Sequence, residues 1–206
     1  AASDVYKRQT KCREASTPGT SDLKRHENGD EPLDQSAHKM YRCVVGMLMW
    51  IAQLRVDCIY AIKELARARH APKMEDQAKL KQLLRYIKGT LHFKFVLRVH
   101  SGGSFKTIEI DVYVDSDWAG CFKTRRSTSG FVIYLFGCAT HFASRTQAVP
   151  ALSSAEAELY AMGTGSNEAL HLRSFFLEAK ISNQVVIKIH TDSSAGKSIA
   201  SRMGLQ

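Results

Sequence analysis

Apolar and polar positions alternate from Ile108 to Asp115. Ile108, Ile110, Val112 and Val114 stand against Glu109, Asp111, Tyr113 and Asp115, a period of two that predicts a half-buried strand carrying an acid at its end. Val185, Val186, Ile187, Lys188, Ile189, His190, Thr191 and Asp192 predict a second strand that also ends in an acid, after which Ser193-Ser194 opens a helix. Residues 131–136 and 139–144 read as two further strands with Gly137 in the turn. Between these and the last strand the period changes. Ser153 followed three residues later by Glu156 is a capping box, and Ala155, Leu159, Met162, Ala169, Leu172 and Phe176 then recur at helical spacing. Glu158 falls inside that apolar stripe, where a lone carboxylate costs several kcal/mol, roughly, unless it is paired, protonated or bound to a metal.

Upstream the pattern is helical. Tyr41, Val44, Val45, Leu48, Met49 and Ile51 make one apolar face from about Gln35, with a break at Arg55-Val56-Asp57. A second helix runs through Ile59, Ile62, Leu65 and Ala66 and stops before Pro72; a third, from about Met74 to Lys88, turns Leu80, Leu83, Leu84 and Ile87 inward and is closed by Gly89. Residues 91–99 alternate as a strand, and Ser101-Gly102-Gly103-Ser104 is a hairpin signal. The polar residues 1–34 show no sustained period and read as a flexible leader, the first of them resembling linker sequence without function. The expected fold class is α+β: a small helical segment over residues 35–105, then a mixed sheet with helices over residues 106–206.

Composition narrows the function classes. A hydrophobic fraction of 44% over 206 residues fills a core, yet no apolar run approaches the roughly 18 residues of a membrane span. The expectation is a soluble, intracellular protein with no membrane partner. Cys12, Cys43, Cys58, Cys121 and Cys138 are scattered without C-x-x-C spacing, which argues against a zinc site or disulfide framework. About eight of the nine excess positive charges precede Ile110. Such an excess is either a solvated surface or a seat for a polyanion, nucleic acid above all; Lys81, Arg85 and Lys88 on the third helix are candidate phosphate contacts.

Two strand ends and one helix thus each present a carboxylate: Asp115, Asp192 and Glu158. Gathered within a few ångströms, the three could not all stay ionised without a cation, and a hard divalent ion with oxygen ligands, Mg2+ first, suits them.

Ordered motifs sharpen this reading. Tyr113-Val114-Asp115-Ser116-Asp117-Trp118-Ala119-Gly120, Arg126-Ser127-Thr128-Ser129-Gly130, Ala151-Leu152-Ser153-Ser154-Ala155-Glu156-Ala157-Glu158 and Thr191-Asp192-Ser193 resemble the ribonuclease H domain of copia-type retrotransposon Pol polyproteins. Tyr41-Arg42-Cys43-Val44-Val45-Gly46, Arg55-Val56-Asp57 and Leu84-Arg85-Tyr86-Ile87-Lys88-Gly89-Thr90 resemble the end of the same polyprotein's reverse transcriptase, its thumb or connection region, with Val56 where that motif carries proline. The resemblance implies a ribonuclease H-like fold that cuts the RNA strand of an RNA/DNA hybrid with two Mg2+ ions, Mn2+ being the alternative, by in-line attack of a metal-activated water. It makes Asp115, Glu158 and Asp192 both metal ligands and catalytic residues, and leaves Asp117 and Glu156 outside the first ring of ligands. Arg125, Arg126 and Arg145 become candidate nucleic-acid contacts. It places a fourth acid and a final helix beyond Gln206, so an incomplete domain is expected, and it implies no DNA synthesis by this stretch. Its implied partners are the hybrid and the rest of the polyprotein, in cytoplasmic virus-like particles or the nucleus. The alternative is a noncatalytic nucleic-acid-binding piece.

Other chemistries fit poorly. Gly196-Lys197-Ser198 follows a strand as in a phosphate-binding loop, but Thr191 stands where that loop needs its first glycine. Neither Asp115-Ser116-Asp117 nor Asp192-Ser193-Ser194 supplies the glycine of an aspartic protease loop, and the eight histidines show no H-E-x-x-H spacing.

Overall fold

The computed structural model describes residues 13–19, 29–97, 106–121 and 124–203. The expected hairpin at 101–104 and leader residues 1–12 and 20–28 lie outside them. The chain divides into two compact units, Ala1–Phe95 and Val96–Gln206.

The first unit is helical. α1 (Gln35–Ile51) starts at Asp34, whose Oδ1 accepts the Ala37 N–H at 2.8 Å; a short 3-10 turn at Val56–Cys58 leads into α2 (Ile59–Arg67), and α3 (Met74–Gly89) follows. Tyr41, Val45, Leu48, Cys58, Ile62, Leu65, Leu80, Leu83 and Tyr86 form its core. Met49 and Ile51, expected inward, are exposed. Steps of 100° per residue carry them to opposite flanks of the stripe made by Tyr41, Val45 and Leu48.

Gly89 does not close α3 as a left-handed cap. It is the last helical residue, and Thr90 at φ −117° ends the helix, its hydroxyl donating to the Tyr86 carbonyl at 2.8 Å. The Arg55 guanidinium reaches the Thr90 hydroxyl oxygen at 2.6 Å and Asp57 at 2.7 Å, while Tyr86 donates to Asp57 at 2.9 Å. Arg55, predicted as part of a mere break, is thus the hub joining the α1–α2 connection to the end of α3. The expected leader is in part hydrogen-bonded to this unit: Leu33 N–H donates to the Pro72 carbonyl, Met74 N–H to Glu31, and Arg85 Nε to the Arg13 carbonyl. Residues 91–97 form no strand, a departure from the expected alternation. Alternation suits a pleat, but a strand needs a neighbour to take its backbone hydrogen bonds.

The second unit is a mixed four-stranded sheet in the order β3-β2-β1-β4, made of β1 (Ile108–Asp117), β2 (Thr128–Leu135), β3 (Cys138–Thr146) and β4 (Val185–His190). β1 pairs antiparallel with β2 and parallel with β4. Phe136 and Gly137, both at positive φ, make the two-residue turn between β2 and β3. One face of the sheet carries Ile108, Ile110, Val112, Val114, Phe131, Ile133 and Leu135 against α4 (Ser154–Glu178), and α5 (Ser194–Met203) packs on α4. The contact line of α4 is Ala157, Ala161, Gly165 and Ala169, one small residue per turn, with Phe176 beyond. A Cβ built on Gly165 would stand 2.6 Å from Val114 Cγ1 and 3.0 Å from Val112 Cγ1, so the missing side chain is what lets helix and sheet approach. The expected stripe of Ala155, Leu159 and Met162 is only half-buried along one flank of this line. No helix of the described residues is long and apolar enough to cross a membrane.

Candidate metal centre

Parallel pairing decides where the strand-end acids go. Tyr113 lies opposite His190 in the β1–β4 register. Two residues on, Asp115, still paired with Gly130 of β2 because β1 runs on to Asp117, comes level with Asp192 just past the end of β4. α4 begins at Ser153, whose hydroxyl accepts the Glu156 N–H at 3.1 Å, and runs back over the sheet with Glu158 in its first turns. The outcome is a cluster in which one carboxylate oxygen each of Asp115, Glu158 and Asp192 lies within 4.8 Å of the others.

Among the described residues no lysine or arginine forms an ion pair with any of these three. Charges this close repel by between about 1 and about 4 kcal/mol per pair, depending on how much water screens them. Glu158 meets the sheet through Ser116, whose hydroxyl donates to Oε1 at 2.7 Å; Oε2 is buried without a hydrogen-bond partner. A buried carboxylate oxygen left open costs free energy unless something completes it. Three convergent carboxylate oxygens, with a buried Glu158 oxygen left without a partner, fit a hard divalent cation.

The neighbouring acids are engaged elsewhere. Glu156 accepts the Leu152 N–H at 2.7 Å and the Tyr160 hydroxyl at 3.1 Å, so it caps α4 by reaching one residue further back than a standard capping box. The Asp117 carboxylate folds over Gly120, filling the space that a Cβ there would need. Gly196-Lys197-Ser198 lies inside α5, where Ser193 accepts the Gly196 N–H at 2.9 Å as the cap.

Gln147, which sequence reasoning passed over, and Trp118 and Ser127, which it quoted only within motifs and without a role, hold the surroundings. Gln147 donates to Ser129 Oγ at 3.0 Å and to the Ala157 carbonyl at 2.9 Å, tying the sheet to the first turn of α4. Trp118 donates from Nε1 to the Ala151 carbonyl at 3.1 Å, and Ser127 Oγ accepts from Ala119 N–H, which holds Ala119 at φ +52°. No periodicity marks such residues, because their partners are remote in sequence.

The candidate nucleic-acid contacts are dispersed. Arg125 and Arg126 are exposed in the β1–β2 connection, Arg125 at φ +52° with its N–H on the Cys121 carbonyl at 2.7 Å. Arg145 is committed to Glu168 of α4 at 2.8 Å and lies over the Phe131 ring. Burial pushes the Glu168 carboxyl up, but hydrogen bonds and charge from Arg145 and His141 outweigh it, and the net shift is downward. Lys81 is exposed on α3, while Arg85 and Lys88 are half-buried. The four described cysteines, Cys43, Cys58, Cys121 and Cys138, form no disulfide, and burial pushes the Cys58 thiol up to about 12.

No family profile matches the chain, and no solved structure matches it. Curated proteins do. It is 34% identical over 129 residues, 62% of this chain, to the mitochondrial protein AtMg00810 of Arabidopsis thaliana, and spans 51% of that protein. Over 141 residues, 68% of the chain, it is 33% identical to the retrovirus-related Pol polyprotein from transposon RE1 of the same plant, spanning 9% of it. A third relative, the secreted RxLR effector protein 161 of Plasmopara viticola, is 33% identical over 133 residues, 64% of this chain and 90% of that protein. The chain is thus similar to short stretches of retrovirus-related transposon Pol polyproteins, and these likenesses support a retrotransposon Pol fragment.

Proposed function

We propose that the second unit is a metal-dependent endonuclease of the ribonuclease H type, which cuts the RNA strand of RNA/DNA hybrids within a retrotransposon Pol polyprotein. The observation that carries this reading is the meeting of Asp115, Glu158 and Asp192 within 4.8 Å, with no cationic side chain paired to them among the described residues and Glu158 Oε2 left open. The ordered motifs and the transposon relatives support it independently.

Asp115 from within β1, Asp192 from just past β4 and Glu158 from α4 would hold the ion. When bound, Mg2+ or Mn2+ ions supply a water deprotonated at neutral pH and charge stabilisation on the attacking and leaving oxygens of a phosphodiester. The protein's part is placement. Among the described residues none of the three carboxylates is paired with lysine or arginine, which leaves their charge for a cation. Arg125 and Arg126 are positioned to take backbone phosphates, Lys81, Arg85 and Lys88 of the helical unit are further candidates, and selectivity for RNA comes from minor-groove shape and 2′-hydroxyl contacts.

Incubating the purified chain with Mg2+ and an end-labelled hybrid tests the proposal. Cleavage of the RNA strand that vanishes with chelator and with Asp115→Asn supports it. Hybrid binding without cleavage, unchanged by Asp115→Asn, would reduce the unit to a noncatalytic nucleic-acid-binding piece.

A further inference from the structure

Ser116 sits between two of the three acids and touches both. Its backbone N–H donates to Asp115 Oδ1 at 2.8 Å, and its hydroxyl donates to Glu158 Oε1 at 2.7 Å. These two bonds join the end of β1 to the first turns of α4. Each engages one oxygen of its carboxylate; on Glu158 the other, Oε2, is the buried atom without a partner. Ser116 is half-buried on the α4 side of β1, one residue away from the acid it helps to orient.

We infer that Ser116 is the positioning residue of the acid triad, its hydroxyl holding Glu158 to one-oxygen coordination and so biasing the site toward Mg2+ over Ca2+. The inference rests on the metal-site reading above. Mg2+ demands near-octahedral geometry with single oxygens, whereas Ca2+ takes more oxygens and accepts both from one carboxylate. A hydroxyl parked on Oε1 favours the first arrangement and hinders the second. Freed of that hydroxyl, Glu158 can swing or offer both oxygens, which penalises the small ion more than the large one. Ser116 itself touches neither substrate nor cation; it acts through Glu158, as residues bonded to metal-bound carboxylates generally do.

The test compares shape-matched variants of the full 206-residue chain. Ser116→Thr keeps the hydroxyl, Ser116→Val has the same outline without it, and Ser116→Ala removes both. Mg2+ and Ca2+ are titrated separately by calorimetry, with thermal unfolding in chelator as a check on folding and Glu158→Gln as the reference for loss of the site. Expected is Ser116→Thr close to wild type and Ser116→Val and Ser116→Ala about tenfold weaker for Mg2+. Ca2+ should weaken by a smaller factor, so the Mg2+/Ca2+ ratio drops. A general packing defect would lower the unfolding temperature without moving that ratio. Folded Ser116→Val with the wild-type ratio overturns the role of Ser116 while leaving the metal site standing. Wild type that binds neither ion, or binds both as Glu158→Gln does, overturns the metal site and this inference with it.

Discussion

The two units treat charge in opposite ways. In the helical unit the charged groups are matched: Arg55 bonds Asp57 and Thr90, and Tyr86 donates to Asp57, beside the core, while at the surface Lys73 meets Asp30 and Arg67 meets Glu64. In the sheet unit three carboxylates converge and none of them has a cationic partner among the described residues. Matched groups hold a fold together, because each ion is completed by a neighbour. Like charges brought together weaken the fold by their repulsion and are tolerated where a ligand completes them. The contrast exists within the sheet unit too, since Arg145 and Glu168 on β3 and α4 are paired while Glu158, earlier on the same helix, is not.

The largest effect expected from breaking this contrast is at the triad. Asp192→Asn should abolish divalent-dependent cleavage of a hybrid and, in chelator, raise the unfolding temperature by about 2 °C, since removing one of three like charges relieves repulsion. A fall in that temperature would mean that Asp192 is held by a favourable contact, and the comparison would fail.

Next comes the close approach of α4 to the sheet. Gly165→Leu should cost about 3 kcal/mol in urea unfolding, because its side chain must enter space already held by Val114 and Val112. Divalent binding should fall with it, as Glu158 rides on the same helix. Retained metal affinity in that variant would separate the triad from the helix–sheet seam.

In the helical unit, Tyr86→Phe should lower stability by about 1 kcal/mol. The hydrogen bond from Arg55 holds the Asp57 carboxyl below its usual range, reinforced by Tyr86 against the upward push of burial. The unfolded chain binds that proton more tightly than the folded one, at a pKa of about 3.9. The contribution of Asp57 is therefore complete above that value and is lost as pH falls through the lower folded value. Unfolding midpoints measured from pH 6 to pH 2 should decline in that acid window, less steeply in Tyr86→Phe than in wild type.

The smallest effect is at Arg145. Its pairing with Glu168 is partly exposed, so Arg145→Ala should cost only about 0.5 kcal/mol. If it contacts phosphate as well, the salt dependence of hybrid binding should drop by about one unit of slope, as it should for Arg125→Ala or Arg126→Ala. A lost slope at Arg125 and Arg126 but not at Arg145 would assign Arg145 to the fold alone.

Much of this was legible along the chain, and the gaps have a common cause. Period-two runs at Ile108 and Val185 located β1 and β4, and Ser153 with Glu156 located the start of α4 to within a residue. The same alternation over residues 91–97 produced no strand, because local pattern states that a segment could pleat and not whether another strand is beside it. The expected α4 stripe shares Ala169 and Phe176 with the observed seam but misses Ala157, Ala161 and Gly165. Small residues carry little hydrophobic signal, and their use is to let something else come close.

From the residues alone came the identity of the acids, Asp192 just past a strand and Glu158 in a helix start, and the α+β order of elements, all properties of short stretches whose periodicity is local; β1 runs two residues further than the alternation predicted, so Asp115 lies within it. Only the tertiary structure decided that β1 and β4 are parallel neighbours in a register that levels Asp115 with Asp192, that Ser116 spans two of the carboxylates, and that Arg55 and Arg145 pair with acids. Those are pairings between residues dozens of positions apart. They follow from which surfaces pack together, a choice made by the whole chain at once and written in no single segment of it.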